Sequence, residues 1–181
     1  MTMRSQNLCN LRNLWSKKLK LNFKIMMNLE TKLTEHFTLK EMVASQNHPD
    51  IYNVPAPAQI ENLRRVCQWL EDLRRLYNER YGGPGADLPI NVSSGYRSYK
   101  LNNKVGGARD SNHLIGCAAD LVCRDCAQAV QYATLLMEIS VDRGACDEII
   151  IEKKFNHFWL HFAVRPPSIV NRSKVTVIEK R

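Results

Sequence analysis

Asp120 stands inside the run Cys117-Ala118-Ala119-Asp120-Leu121-Val122, a carboxylate with small or apolar residues on both sides. The run is short, apolar and follows a loop, which predicts a strand. A carboxylate buried in such a strand costs roughly several kcal/mol unless it is paired or bound to a cation. Any fold of this chain must therefore bring a partner to Asp120. His113 precedes it on the loop Ser111-Asn112-His113-Leu114-Ile115-Gly116, and Gly116 and Ala118 let the backbone pass close to a neighbouring element. A metal-binding pair is one reading of this spacing. An aspartate capping a turn beside a surface histidine fits it equally well.

A second polar group sits in apolar surroundings at Phe158-Trp159-Leu160-His161-Phe162-Ala163-Val164. Read alone, His161 is a core histidine with a local partner. Read with His113 and Asp120, it completes two imidazoles and one carboxylate, the pattern of a zinc site with a fourth position open to water. Such a site polarises a carbonyl and supplies hydroxide at neutral pH. A third segment, Ser93-Ser94-Gly95-Tyr96-Arg97-Ser98, places an arginine just after a glycine turn. Its fork suits a carboxylate or a developing oxyanion, although a surface arginine is the alternative.

The rest of the pattern predicts an α+β fold, with helices packed on a small antiparallel sheet. Ile60, Leu63, Cys67, Leu70, Leu73 and Tyr77 recur at helical steps, and Tyr81-Gly82-Gly83-Pro84-Gly85 ends that helix. Residues 126–140 form a second helix with Ala129, Ala133, Leu136 and Met137 facing inward. Thr38 and Glu41 have capping-box spacing for a short helix. Strands are expected at 88–93, 117–122, 147–152 and 158–164, the last two joined by a hairpin, with residues 174–178 as a further edge strand.

The formal charge of +8 invites a nucleic-acid partner, but Arg4, Arg12, Lys17, Lys18, Lys20 and Lys24 supply six of those charges, leaving +2 for the remainder. The body of the chain is nearly neutral, so no nucleic-acid partner is expected. Residues 1–26 are expected to be a flexible basic extension, too polar to insert in a membrane and without a signal-peptide core. Residues 27–181 are the folded domain. The six cysteines do not form a disulfide framework; the Cys123 to Cys126 pair has redox or metal-binding spacing but stands alone. Cytoplasmic synthesis and a monomer are expected.

Taken together, Ser94-Gly95-Tyr96-Arg97, then Asn102 with Val105-Gly106-Gly107, then the Ser111 to Asp120 string, then Asp147 to Glu152 and Trp159-Leu160-His161 resemble the zinc D-alanyl-D-alanine carboxypeptidases and dipeptidases. This LAS group also holds phage endolysins, and the likeness covers roughly residues 29–178. It implies a hedgehog/D,D-peptidase-like fold and a metallopeptidase that hydrolyses peptidoglycan stem peptides, as a carboxypeptidase or an endolysin-type endopeptidase that acts on the cell wall, released in phage lysis. By position it implies His113, Asp120 and His161 as ligands of Zn2+, Arg97 on the scissile carbonyl, and Ser111 and Tyr96 against the substrate. Many members carry an acid three residues before the last histidine ligand, where this chain has Phe158. Glu152 is then the expected general base, with His157 in reserve. A catalytically silent, zinc-containing module that binds wall peptide is the alternative that Phe158 leaves open.

Overall fold

Thr38 begins the architecture. Its hydroxyl accepts the Glu41 N–H at 3.3 Å and caps a short helix, α1 (Leu39–Val43), as the Thr38–Glu41 spacing predicts. The computed structural model of the chain describes residues 30–180, so the extension expected at residues 1–26 lies outside the described residues. From Lys32 onward the chain is one compact unit.

Helix α2 (Pro57–Tyr77) opens on a proline, which is suited to the first helical position because no intrahelical partner awaits its missing N–H. Its buried stripe is Leu63, Val66, Cys67, Leu70, Leu73 and Tyr77, and it runs into a π-helical turn at Asn78–Gly82. Strand β1 (Val92–Ser94) is shorter than the expected 88–93. Pro89 has no N–H for a ladder, and pairing begins only at Val92. Helix α3 (Tyr99–Lys104) is capped by Ser98. A 3-10 turn at Asn112–Ile115 precedes β2 (Ala118–Cys123).

Helix α4 (Cys126–Arg143) is capped by Asp125, which accepts the Gln128 N–H at 2.8 Å. It extends past the expected end at 140 and stops before Gly144, at φ 88°. Met137, expected to face inward, is exposed; Tyr132, Leu135 and Ile139 are buried with Ala129, Ala133 and Leu136. Strands β3 (Glu148–Lys154) and β4 (His157–Ala163) meet through the two-residue turn Phe155-Asn156, with Phe155 at φ 53°. The final strand is β5 (Lys174–Lys180).

The strands form one sheet in the order β1-β2-β4-β3-β5. All neighbours are antiparallel except β3 and β5, which run parallel. The direction of β5 follows from its tether. Arg165 and Arg172 both pair with Asp147 at the start of β3, and Ser173 N–H donates to Cys146 O, so β5 is launched beside the start of β3.

Alternation then divides the sheet. Phe162, Leu160, Ile149, Ile151 and Leu121 turn to one face and are buried beneath α2 and α4, with Phe162 against Trp69 at 5.4 Å between ring centroids. Burying a side chain such as Phe162 contributes about 1.5–3 kcal/mol. The opposite face carries Asp120, His161, Ile150, Glu148 and Glu152. The α+β class is the one observed.

Candidate active site

Register places the polar groups. Asp120 on β2 pairs with His161 on β4, and His161 pairs with Ile150 on β3. Laterally paired residues share a face, so carboxylate and imidazole stand side by side. Glu152, across from Trp159, and Glu148, across from Ala163, lie on that same face one step to either side of Ile150.

His113 reaches the row from the 3-10 turn. Gly116, at φ 72°, closes the turn; a side chain there would meet Gln59 O at 2.5 Å. His113 Nδ1–H donates to Gly95 O at 2.6 Å, which leaves its Nε2 bare. His161 Nε2 lies 3.4 Å from Glu148 Oε2, which directs Nδ1 inward.

Three donor atoms therefore converge. His113 Nε2 lies 3.2 Å from Asp120 Oδ1 and 3.2 Å from His161 Nδ1, and His161 Nδ1 lies 2.9 Å from Asp120 Oδ1. Metal–ligand bonds of about 2.0–2.1 Å in tetrahedral geometry separate ligand atoms by about 3.3 Å. Two imidazole nitrogens and a carboxylate oxygen, all buried, face a common centre at close to that spacing. The donor set fits a metal ion, and among the described residues it is the group of His, Cys, Asp and Glu side chains that does so.

Charges around the centre are strongly coupled. Burial raises the Asp120 carboxyl, but His113 and then His161 outweigh it and hold the group well below its usual range. Burial pushes His113 down, against the pull of Asp120. Burial also disfavours charge on His161, yet hydrogen bonds to Asp120 and Glu148 prevail and raise it to about 9. Glu148 is lowered to about 2, chiefly by His161.

A cleft of about 450 Å³ opens over these groups. Arg97 lines it, donating Nε–H to Ser94 Oγ at 2.8 Å and pairing through Nη2 with Asp120 Oδ2. Ser111 lines it too, its hydroxyl accepting the His113 N–H at 3.3 Å. Glu152 faces the cleft in an ion pair with Lys180, whose Nζ also sits 5.1 Å from the Trp159 ring centre.

Two expected site residues are not brought to the cleft. Tyr96 is buried, its N–H donating to Met42 O at 2.8 Å, and it does not line the cleft. His157 is exposed at the far end of β4 opposite Lys154, several residues along the strand from His161. Cys123 is buried and Cys126 exposed, and both are free thiols, so the pair makes no disulfide.

A family model described as peptidase M15 matches residues 35–146, more than half of the chain. The chain belongs to the peptidase M15 family. It is also 54% identical over 35 residues to the zinc D-Ala-D-Ala carboxypeptidase of Streptomyces albus G, a stretch that is 19% of this chain and 14% of that relative. The chain thus spans only a small part of the length of the curated relative it matches. The M15 match includes Arg97, His113 and Asp120 and ends before β3, so His161, Glu148 and Glu152 join this M15 site through sheet register.

The sequence reading of the M15 chain quoted Asn112, Asp147 and Glu148 within its motifs without giving them a role, and did not single out Arg165 or Arg172. Asn112 Nδ2 donates to Asp147 Oδ2 at 2.7 Å and to Glu148 Oε2 at 2.9 Å, and Arg172 spans both carboxylates. One signal was available: Glu148 and Glu152 are four residues apart, hence on one face of a strand.

Proposed function

We propose that this protein is a zinc peptidase that hydrolyses peptide bonds in peptidoglycan stem peptides. The observation that carries the reading is the convergence of His113 Nε2, Asp120 Oδ1 and His161 Nδ1 beneath an open cleft. Membership of the M15 family and the short match to a zinc carboxypeptidase support it. His113, Asp120 and His161 would hold a zinc ion, which would supply Lewis acidity and make water a stronger acid near neutral pH.

The protein's own groups do the rest. Arg97 keeps N–H donors beyond those engaged with Ser94 and Asp120, and these face the scissile carbonyl oxygen as negative charge develops on it. Glu152, on the cleft face of β3, takes a proton from the attacking water and returns it to the leaving amine. Lys180 holds the Glu152 carboxylate, and Ser111 borders the substrate beside His113. Glu152→Gln is expected to reduce turnover by about 10²–10⁴-fold without loss of zinc; unchanged turnover removes Glu152 from this role.

The reading is tested by incubating zinc-loaded protein with purified peptidoglycan and with a synthetic stem peptide ending in D-Ala-D-Ala. Loss of one terminal residue identifies a carboxypeptidase, and new amine ends in cross-linked material identify an endolysin-type endopeptidase. Wall binding without any new ends would leave the silent binding module instead.

A further inference from the structure

The carboxylates that β3 turns toward the cleft have different surroundings. Among the described residues, Glu152 pairs with Lys180. Glu148 is enclosed. Its Oε1 lies 3.1 Å from Arg172 Nη2 and 3.5 Å from Lys174 Nζ. Its Oε2 accepts from Asn112 Nδ2 at 2.9 Å and lies 3.4 Å from His161 Nε2. Asn112 immediately precedes His113, so one carboxylate oxygen touches one metal-facing ring and the chain neighbour of the other.

The direction of His161 makes this arrangement informative. Its Nδ1 points to Asp120 and its Nε2 to Glu148, so Glu148 lies on the side of the ring away from the converging donors. It stands behind the ring as a partner of the imidazole and is not one of the converging donors. An imidazole can ligate through either nitrogen, and the partner of the other nitrogen decides which.

We propose that Glu148 is a positioning residue of the metal centre: it accepts the Nε2–H of His161, so that Nδ1 is presented to the ion, and through Asn112 it ties the His113 turn to the sheet. This role rests on the zinc reading above. Arg172 and Lys174, which line the same cleft, keep the carboxylate from swinging away.

The test compares zinc affinity, by competition with a chromophoric chelator, for the wild-type protein, Glu148→Leu and Glu148→Gln. Leucine removes the acceptor and is expected to weaken zinc binding by about 10–100-fold. Glutamine keeps an acceptor oxygen and is expected to restore most of that loss. Melting temperatures of the metal-free proteins report any folding defect separately. Equal affinity of Glu148→Leu and wild type overturns the role, and so does a glutamine variant no better than leucine.

Should Glu148→Leu fail to fold, nitrogen NMR of His161 in the zinc-loaded wild type decides. A proton on Nε2 is expected, and a proton on Nδ1 overturns the proposal. A wild-type protein that takes up no zinc overturns the peptidase reading and this role together. Tight zinc binding that is indifferent to residue 148 overturns this role alone.

Discussion

Asp120 divides its oxygens between two kinds of neighbour. Oδ1 faces both imidazoles, while Oδ2 is taken by Arg97. The guanidinium thus fixes the plane of the carboxylate as well as lining the cleft. Replacing Asp120 with Asn keeps the size and removes the charge, and loss of bound zinc after dialysis is the expected outcome, measured by atomic absorption. The His161 proton supplies a pH test. With the group raised to about 9, the folded protein holds that proton more tightly than an ordinary imidazole does. Proton and ion compete for Nδ1, so zinc affinity should fall about tenfold for each pH unit below about 9 and level off above it. A titration with flat affinity over that range would contradict the assigned ligand atom. His113, Asp120 and His161 were legible because each is a polar group in a segment otherwise built for burial or close packing. Glu148 was not, because its cationic neighbours Arg172 and Lys174 lie far from it in the chain and reach it only through the parallel pairing of β5 with β3. Tyr96 and His157 lie away from the cleft for different reasons: Tyr96 is buried elsewhere, and His157 shares a face of β4 with His161 but sits at the far end of the strand.

Among the elements, the turn after β1 carries more than its length suggests. Gly95 O receives the His113 proton, and a Cβ on Gly95 would lie 2.3 Å from Met42 O, the same carbonyl that accepts the Tyr96 N–H. That clash is with backbone, so the turn must move. Gly95→Ala is expected to destabilise the fold by about 1–3 kcal/mol and to weaken zinc binding at the same time. Thermal melts with and without zinc check both, and a variant that loses neither would show that α1 yields freely. Helices α2 and α4 were readable from spacing because their stripes are long. The interior of α4 was misassigned at Met137 because apolar residues occur around most of that helix, and only packing on the sheet selects the buried side. The short β1 was overextended because Leu88 to Ile90 has strand composition but lies outside the ladder.

Across the whole molecule, the last strand depends on one buried acid. Asp147 is fully buried and pairs with Arg165, Arg172 and Asn112. These interactions hold residues 164–173 in place and set β5 parallel to β3, a direction that composition does not encode. Asp147→Ala leaves Arg165 without its carboxylate and Arg172 with Glu148 alone, and should cost about 1–3 kcal/mol, visible as a lower urea midpoint with an unchanged slope. The helices, the hairpin and the α+β class were readable in the sequence, whereas this tether joins residues distant in the chain and was not.

Strand β4 has a single backbone and two uses: Leu160 and Phe162 belong to the interior, His161 to the converging donors. A slip of one residue would send the imidazole under the helices and expose the phenylalanine, so a misaligned chain loses its core and its centre in one event. Partial impairment through misalignment has no stable form. Mutations that merely loosen the interior should therefore thin the population of competent molecules while leaving each survivor working at full rate.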